Sequence, residues 1–417
     1  MLCWVRMHMK AQFIVSSPGR ADFLNTHQDY KGLPVVPAAI NLRLYVSASF
    51  SGNRVFNVKS LDLERYNEPC TDSFEVGINE MHGGKFFGDY LRGVVNVLVK
   101  RNLADKLGGM NVTIKSDIPI GSGLASSAAL EVAFTELLNH AFDLGLSKKD
   151  VAEISFAAEN MEAGIPCGRL DQYGVAFGGI IKLECRPPFN VEELLFKNLT
   201  FAILDSGIRH STGDIHPKRQ MDINLGLEAL MRSGAVPKSL KTKLGWRFNE
   251  PIWESISEDE IENYLSIMSE TSRKRIIFTL KMHRLTEIAL KILRFEKISE
   301  KEIMLNLGED ALRRLRKYPP SEFNHRLLGE IMNAQHALLR DLYDVSLPEI
   351  ERICEAALEA GAYGAKISGA GMGGSIIALI RDENVGKRVI DECLSSGAKN
   401  GWVSSIGEGV RIEKTQK

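Results

Sequence analysis

One segment of the sequence, at positions 119–128, has the composition of an anion-binding loop. It reads PIGSGLASSA and lies between a strand-like run at 112–115 and an apolar pattern typical of a helix. Glycines let the backbone approach a ligand closely, and a helix start presents free N–H groups and the positive end of its dipole. This context predicts a phosphate cradle. The predicted contacts are Pro119, Gly121, Ser122, Gly123, Leu124, Ala125, Ser126 and Ser127.

Two common phosphate-binding loops do not match this segment. It lacks the GxxxxGK[ST] pattern of the P-loop. Its glycine spacing also differs from GxGxxG, and no acidic residue ends a second strand about 20 residues further on. An ordinary tight turn whose serines cap the helix is the alternative, so the loop alone leaves its ligand open.

Two further segments give this loop a context. Residues 18–30 (PGRADFLNTHQDY) precede it and residues 367–374 (ISGAGMGG) follow it. In this order and spacing, the three segments resemble the signature motifs of the GHMP kinases, the superfamily of galactose, homoserine, mevalonate and phosphomevalonate kinases. The resemblance covers nearly the whole chain. Within the superfamily, HQDY at 27–30 and CGRLDQ at 167–172 are most similar to the EHTDY and CGxxDQ segments of galactokinases.

The resemblance implies an α+β fold of two parts, with ATP and its acceptor meeting in the cleft between them. Residues 10–205 would form an S5-like N-terminal domain. Residues 206–417 would form a ferredoxin-like C-terminal domain with added helices. The implied activity is ATP-dependent phosphorylation of a sugar hydroxyl, with the anomeric hydroxyl of galactose or a related sugar as acceptor.

Phosphoryl transfer requires alignment of the γ-phosphate, the metal and the acceptor hydroxyl more than covalent help from the protein. By resemblance, Asp171 is the catalytic base or the group that orients the acceptor hydroxyl. Arg20 would face Asp171 and the transferring group, where a guanidinium offsets developing charge. A capping Asp171 and a surface Arg20 on a turn are the structural alternatives.

The resemblance also implies ATP and Mg²⁺ as cofactors. Mg²⁺ prefers oxygen ligands and takes only one or two from protein beside phosphates and waters. Ser127 and Glu159 would supply a hydroxyl and a carboxylate, and Glu162, one turn further on, is the alternative ligand. Gly371 and Gly373 are predicted to let the backbone approach the nucleotide, with a tight turn between strands as the alternative.

The acceptor side departs from the galactokinase pattern at two positions. The resemblance places Thr26, His27, Asp29, Gly168 and His216 at the sugar. Galactokinases carry Glu where this chain has Thr26, and that Glu accepts a hydrogen bond from the 6-hydroxyl of the sugar. They carry a Tyr near His216. A lost carboxylate and a gained imidazole favour an acceptor with a carboxylate at C6, such as a uronic acid.

Two other functions remain open. Another GHMP kinase would phosphorylate mevalonate, homoserine or a heptose phosphate, although the segments at 27–30 and 171–172 argue against the first two. A galactokinase-like sensor would bind sugar and ATP without transfer. Such a sensor is expected to have a damaged catalytic set, whereas Arg20, Ser127, Glu159 and Asp171 are all present.

The composition is that of an ordinary globular protein. Of 417 residues, 44% are hydrophobic and 25% charged, and 52 Lys and Arg balance 53 Asp and Glu. There is no basic excess of the kind that nucleic acids or anionic membranes attract, and no apolar run approaches the roughly 20 residues of a membrane span. Six scattered cysteines predict free thiols in a reducing compartment. We expect a cytoplasmic enzyme for a small-molecule sugar, as a monomer or homodimer.

The elements that must position these residues can be outlined. A strand is predicted at 13–15, followed by a loop at 16–31 that carries Arg20. Helices are predicted at 86–100, from the end of the glycine-serine loop through 138, and at about 151–163, the last with a capping box at Ser147 and Asp150. Asp171 is expected in a loop. Long amphipathic patterns predict a mostly helical region at 217–345 and a last helix at 385–394. No signal peptide is predicted, and the sequence leaves open whether residues 1–8 belong to the fold.

Overall fold

The structure is a computed structural model that describes residues 11–84, 86–119, 121–209 and 212–415, so residues 1–8, whose place in the fold the sequence leaves open, lie outside the described residues. The strands are β1 Phe13–Leu24, β2 Val36–Phe50, β3 Val55–Ser60, β4 Thr71–Glu75, β5 Met110–Ser116, β6 Ile181–Leu183, β7 Val191–Glu193, β8 Thr200–Asp205, β9 Gly364–Ser368, β10 Ser375–Ile380, β11 Asn400–Ser405 and β12 Arg411–Thr415. The α-helices are α1 Leu61–Arg65, α2 Gly88–Lys100, α3 Ser126–Ala141, α4 Lys148–Ala157, α5 Leu170–Phe177, α6 Thr212–Arg232, α7 Lys238–Lys241, α8 Glu258–Glu262, α9 Glu270–Leu293, α10 Glu300–Leu315, α11 Phe323–Asp341, α12 Pro348–Glu359 and α13 Glu383–Ser395.

The strands form two main sheets. The first has six strands in the order β12-β1-β2-β5-β3-β4 and is antiparallel except for the parallel pair β3 and β5. The second has four antiparallel strands in the order β11-β8-β10-β9. The predicted boundary between two domains near residue 205 stays a prediction. Two strands lie across that boundary: β8, which precedes it, pairs in the second sheet, and β12, which follows it, pairs in the first.

Helices cover both sheets and leave the cleft between them for the site. Helices α3 and α5 pack on β1 and β2, while α12 and α13 pack on the second sheet. The rings of Phe23 and Phe201 lie 5.3 Å apart and join the two sheets in one hydrophobic core. A separate apolar cluster, which includes Leu227 and Ile276, holds α6 against α9.

The region 217–345 is mostly helical, as predicted. The patterns that predict long helices correspond to α6, α9, α10 and α11. Residues 259–268 of this region also carry an amphipathic pattern, but they form only the short α8 and a 3₁₀ turn at Leu265–Ile267. The predicted capping box at Ser147 and Asp150 begins α4 and is confirmed.

The predicted loop at 16–31 is wrong over its first half. Strand β1 continues to Leu24, and all its residues are buried. Pro18 is tolerated because β12 pairs with β1 only as far as Ser16, and because the register against β2 shifts between Pro18 and Arg20. Burial of Ala21, Phe23 and Leu24 against the core outweighs the turn signal of Pro-Gly.

Two other local predictions fail. Asp171 lies in the first turn of α5 rather than in a loop. Strands β11 and β12 follow the last predicted helix, and the sequence pattern gave no sign of them. Their residues are only partly buried, so strict apolar alternation is not required there.

Candidate active site

The glycine-serine loop docks on the edge of β1 that β12 leaves open. The backbone N–H of Arg20 donates to the carbonyl of Leu124 at 3.1 Å. A Cβ at Gly19 would lie 2.9 Å from the same carbonyl oxygen, which is closer than side chains tolerate. The glycine of the Pro-Gly-Arg segment is therefore required for this contact, which fixes the loop beside Arg20.

Helix α3 begins at this loop with free backbone donors. Ala125 adopts a left-handed conformation (φ 60°, ψ 43°), and its side chain provides no cap. The first bond within the helix runs from the N–H of Ala129 to the carbonyl of Ala125 at 2.9 Å, so the N–H groups of 126–128 have no acceptor in the helix. The buried hydroxyl of Ser122 donates to the carbonyl of Pro119 at 2.8 Å, which braces the loop internally. An anion is suited to this uncapped end.

Arg20 and Asp171 come together at the open end of the cleft. Nε and Nη2 of Arg20 both donate to Oδ1 of Asp171, at 2.8 and 2.6 Å. Nη1 donates to the carbonyl of Gly123 at 2.7 Å. Among the described residues Oδ2 of Asp171 receives no hydrogen bond, and the side chain is 29% exposed. One guanidinium therefore ties the carboxylate to the glycine-serine loop and leaves one carboxylate oxygen for a ligand.

The two predicted metal ligands are also neighbours. The hydroxyl of Ser127 donates to Oε1 of Glu159 at 3.0 Å, and the amide of Gln172 donates to Oε2 at 2.6 Å. Helix α4 continues as a π-helix over Ala158–Glu162, which places Glu159 toward the cleft. The alternative ligand, Glu162, forms an ion pair with Lys100 at 2.5 Å.

Glu131 is a buried acid that the sequence analysis missed. It is fully buried on α3, and Gln172 points the same amide nitrogen at it, at 3.4 Å. Burial and then the charge of Glu159 raise the pKa of Glu131. Burial and then the charge of Asp171 raise the pKa of Glu159 to about 7. The carboxyl groups of Glu131, Glu159 and Asp171 therefore lie close together, with the guanidinium of Arg20 as the cation bound to Asp171.

Burial beside other carboxyl groups predicts that ionised Glu159 lowers the free energy of unfolding, although its charge is needed for the predicted metal site. The pKa of the carboxyl is about 7 in the folded chain against an ordinary 4.5, so its stabilising effect is complete below pH 4.5 and is lost as the pH rises to about 7. Glu159→Gln cannot ionise, and its Oε1 still accepts from Ser127. A reversed Gln172 amide, whose Oε1 is unpaired in the native chain, can accept from the new Nε2. We expect it to gain about 1–3 kcal/mol over wild type between pH 5 and pH 8.

Thermal unfolding of both proteins at pH 5 and pH 8 measures this gain. The difference in Tm should favour the variant more at pH 8. Glu309→Gln is the matched control, because the side chain of Glu309 is 79% exposed and its replacement should give no such pH dependence. A difference in Tm that is equal at both pH values, or larger at pH 5, would contradict the prediction.

All five predicted substrate residues line one pocket with the catalytic pair. The pocket measures about 200 Å³ and lies between β1, α5 and the glycine segment at 369–374. Its wall includes Arg20, Thr26, His27, Asp29, Gly168, Asp171 and His216. Asp22, two residues after Arg20 on β1, joins this wall and was missed because the strand had been predicted as a loop.

Both histidines in the wall are held neutral. Burial lowers the pKa of His27, with a smaller effect from His216, and burial also lowers the pKa of His216. Nε2 of His27 donates to the carbonyl of Ala370 at 2.9 Å, so this nitrogen carries the hydrogen. His27 therefore links the HQDY segment to the glycine segment, and the two imidazole rings lie 5.2 Å apart.

A buried lysine supports Thr26. Nζ of Lys366 donates to Oγ1 of Thr26 at 2.9 Å and to the carbonyls of Asp22 and Ile367 at 2.9 and 2.8 Å. Burial lowers the pKa of Lys366 to about 8, so the amine is still mostly protonated at pH 7. Because Thr26 accepts this bond, its own hydroxyl hydrogen is free to be donated toward the pocket.

Glycines bring the remaining segments into contact. A Cβ at Gly168 would lie 2.2 Å from Oδ2 of Asp29, so only glycine lets this carboxylate keep its place. A Cβ at Gly371 would lie 2.4 Å from the carbonyl oxygen of Val345, and Gly373 has a φ of 140°. The hydroxyl of Ser375 donates to the carbonyl of Ser122 at 2.5 Å, which joins the glycine segment to the phosphate loop.

Beside the phosphate loop lies a cation, Arg209, which the sequence motifs do not identify. Its Nε lies 3.7 Å from the Cβ position of Gly121. Both oxygens of Asp205 hold the guanidinium, at 2.7 and 2.8 Å. Its position depends on a contact between segments about 90 residues apart in sequence.

Family comparisons agree with this geometry. The model "GHMP kinases N terminal domain" matches residues 89–179, "GHMP kinases C terminal" matches residues 310–399, and "Galactokinase galactose-binding signature" matches residues 6–50. The fold and the site define a GHMP kinase, a phosphotransferase with an alcohol group as acceptor. The predicted α+β fold and the superfamily resemblance are confirmed.

Similar individual proteins show which family within the superfamily the chain belongs to. A galactokinase of Thermococcus kodakarensis is 30% identical over 381 residues, which span 90% of this chain and 93% of the relative. A galactokinase of Pyrococcus furiosus is 28% identical over 400 residues, 94% of this chain and 96% of that one. A Lactococcus lactis galactokinase complexed with galactose has a TM-score of 0.74 at 23% identity and covers 99% of this chain and 100% of that one. The chain belongs to the galactokinase family.

Two predictions from composition can also be compared with the structure. No helix in the described ranges is long and apolar enough to cross a membrane. The cysteines at 70, 167, 185, 354 and 393 are free thiols, whereas Cys3 lies outside the described residues.

Proposed function

We propose that the protein transfers the γ-phosphoryl group of ATP to the anomeric hydroxyl of a sugar, either galactose or a sugar with a carboxylate at C6. The observation that carries this proposal is the Arg20 guanidinium, which contacts Asp171 in the acceptor pocket and Gly123 in the phosphate loop. The groups proposed to bind the two substrates therefore lie on either side of one cation.

The free Oδ2 of Asp171 would orient the acceptor hydroxyl and take up its proton. The acceptor oxygen then forms a bond to the γ-phosphorus, while the bond between that phosphorus and the bridging oxygen of ADP breaks. Arg20 and the N–H groups at the start of α3 stabilise the charge on the transferring group. The proton leaves Asp171 for solvent, and the products are ADP and the sugar 1-phosphate.

Mg²⁺ fits the donors at Ser127 and Glu159. Both ligands are oxygens, and Mg²⁺ usually keeps most of its shell for phosphates and waters. Among the described residues no group of three or more His, Cys, Asp or Glu is placed to hold a metal ion. When bound, the ion would neutralise charge on the phosphate oxygens of ATP. Gly371 and Gly373 would support the loop from the opposite side.

The contacts of Thr26 favour an acceptor with a carboxylate. In the galactokinase pattern a Glu at this position accepts a hydrogen bond, but Thr26 already accepts one from Lys366. Its hydroxyl keeps its hydrogen for donation to a ligand, and the ammonium behind it adds positive charge. A donor beside a cation suits a carboxylate oxygen better than a hydroxyl hydrogen.

An ADP-release screen tests the proposal. Galactose, glucose, N-acetylhexosamines, galacturonate, glucuronate and mevalonate are compared as acceptors with ATP and Mg²⁺. We expect ADP release with sugars that have a free anomeric hydroxyl, and the highest kcat/KM with a uronate. Strong turnover of galactose beside weak turnover of both uronates would refute the proposal that the acceptor has a carboxylate at C6. Turnover of mevalonate alone would refute the proposal that the acceptor is a sugar.

Thr26→Glu should shift the preference between these acceptors. The new carboxylate can pair with Lys366 and accept a hydrogen bond from a 6-hydroxyl, whereas it repels a 6-carboxylate. We expect the ratio of kcat/KM for galactose to that for galacturonate to rise about 10- to 100-fold, from one charge-assisted hydrogen bond. Thr26→Ser keeps the donor and is the control. An unchanged ratio in Thr26→Glu would mean that position 26 does not contact C6.

A further inference from the structure

A second, larger cavity adjoins the acceptor pocket on the side of His216. It measures about 840 Å³, against about 200 Å³ for the acceptor pocket. The two have five wall residues in common: Asp29, Pro166, Cys167, Gly168 and His216. Phosphoryl transfer to a single sugar ring makes no use of this outer cavity, which is nevertheless several times larger than the space where the reaction takes place.

Amide side chains give the outer cavity hydrogen-bonding groups that the protein leaves unused. The side chains of Gln220, on α6, and Asn249 line the cavity, and neither forms a hydrogen bond within the described part of the chain. Asn160 donates its Nδ2 to the carbonyl of Cys167 at 3.2 Å, which leaves its carbonyl oxygen. An amide both donates and accepts, and this matches a hydroxyl group, which does the same.

The opposite wall combines a guanidinium with aromatic rings. Nη2 of Arg186 donates to the carbonyl of Pro251 at 2.6 Å, and no carboxylate of the described residues pairs with this guanidinium. Phe156 and Phe189 enclose Arg169, whose guanidinium carbon lies 4.0 and 3.9 Å from the ring centres. The ion pair of Arg169 with Glu153 at 2.8 Å holds this stack in place. The wall is therefore rigid and partly apolar, with a free donor at Arg186.

Planar polar side chains beside aromatic rings are suited to a sugar, which has hydroxyls on its rim and C–H groups on its faces. We propose that the acceptor is a disaccharide, with its reducing-end ring at Asp171 and its second ring in the outer cavity, bonded to Gln220, Asn249 and Arg186. This inference rests on the proposed sugar-kinase function. The transfer step is unchanged, because the reducing-end ring still presents its anomeric hydroxyl.

The test compares sugars that share the same reducing-end ring. ADP release by the wild-type protein is measured for galactose against galactobiose, and for galacturonate against digalacturonate. For at least one pair, we expect kcat/KM of the disaccharide to exceed that of the monosaccharide about tenfold or more, as two hydrogen bonds would give. Gln220→Ala and Asn249→Ala should each lower this ratio about three- to tenfold. Asn384→Ala, at an exposed position of α13, should leave it unchanged.

Each outcome of this test bears on the inference. Disaccharides that react no better than their monosaccharides, or a ratio that neither variant lowers, would overturn it and leave the sugar kinase intact. Absence of ADP release with every sugar would refute the proposed function instead. In that case, the disaccharide site is tested by calorimetric titration of the wild-type protein with each disaccharide and its monosaccharide. Tighter binding of the disaccharide, weakened in Gln220→Ala, would support a second-ring site in the outer cavity. Equal affinities, or no binding, would overturn it.

Discussion

Asp171→Asn is expected to lower kcat by about 10²- to 10⁴-fold, the range that general-base groups contribute. Asparagine has nearly the same shape, and its Oδ1 can still accept both bonds from Arg20, at 2.8 and 2.6 Å in the native protein. It lacks the charge and cannot take a proton at Nδ2. The effect should therefore fall on kcat, while KM for ATP and sugar changes by less than about threefold.

Steady-state ADP release over a range of ATP and sugar concentrations measures this effect. Asp143→Asn is the matched control, because Asp143 is exposed in the turn after α3. The control should keep wild-type kcat. Retention of more than about a tenth of kcat by Asp171→Asn would show that this carboxylate is not the base.

Arg20→Lys is expected to lower kcat by about 10²- to 10³-fold, as the loss of one charge-stabilising donor group does in other enzymes. Lysine keeps the charge but loses the planar fork that reaches Oδ1 of Asp171 and the carbonyl of Gly123 together. The phosphate loop loses this tie, so KM for ATP should rise as well. This double effect distinguishes Arg20→Lys from Asp171→Asn.

The control for Arg20→Lys is Arg316→Lys. Arg316 also forms a two-point contact, with Glu300 at 3.0 and 2.6 Å, but this pair lies on the surface. Its replacement should leave kcat and KM for ATP at wild-type values. A small loss of kcat in Arg20→Lys, with KM for ATP unchanged, would mean that positive charge alone suffices at this position.

The acids around the catalytic pair are placed for function at the expense of stability. Burial raises the pKa of Asp22, Glu131 and Glu159, so each carboxylate is harder to form in the folded chain than in water. Cations that bind there, whether Arg20 and Lys366 or a metal ion with ATP, relieve this repulsion. We therefore expect ATP with Mg²⁺ to stabilise the wild-type protein more than it stabilises Glu159→Gln.

The helices and the phosphate loop were predictable because local signals determine them. The loop at 119–128 needs only glycines after a strand and an apolar periodicity that starts a helix. A helix was expected to open in this segment, and α3 does so at Ser126. The capping box at Ser147 is equally local. The resemblance further identified Arg20, Asp171 and the five acceptor residues, which all line one pocket.

Strand β1 shows where local signals fail. Pro-Gly within 16–31 indicates a turn, but the strand continues because Phe23 and Leu24 are buried in the core. Pro18 is tolerated there because β12 pairs with β1 only as far as Ser16. That misassignment hid Asp22, whose position two residues from Arg20 would have placed it on the same face of a strand. The short strands β11 and β12 could not be predicted because their residues show no alternation of apolar and polar side chains.

The amino-acid sequence by itself determined the family and the class of reaction. It also predicted the groups for that reaction: an anion-binding helix start, an acid and a guanidinium, and an altered residue at position 26. Only the tertiary structure decided what surrounds these groups. Lys366 reaches Thr26 across 340 residues, and the outer cavity takes its walls from α4, α6 and the segment around Arg186. Such contacts follow from packing the two sheets against each other, and no spacing along the chain encodes them.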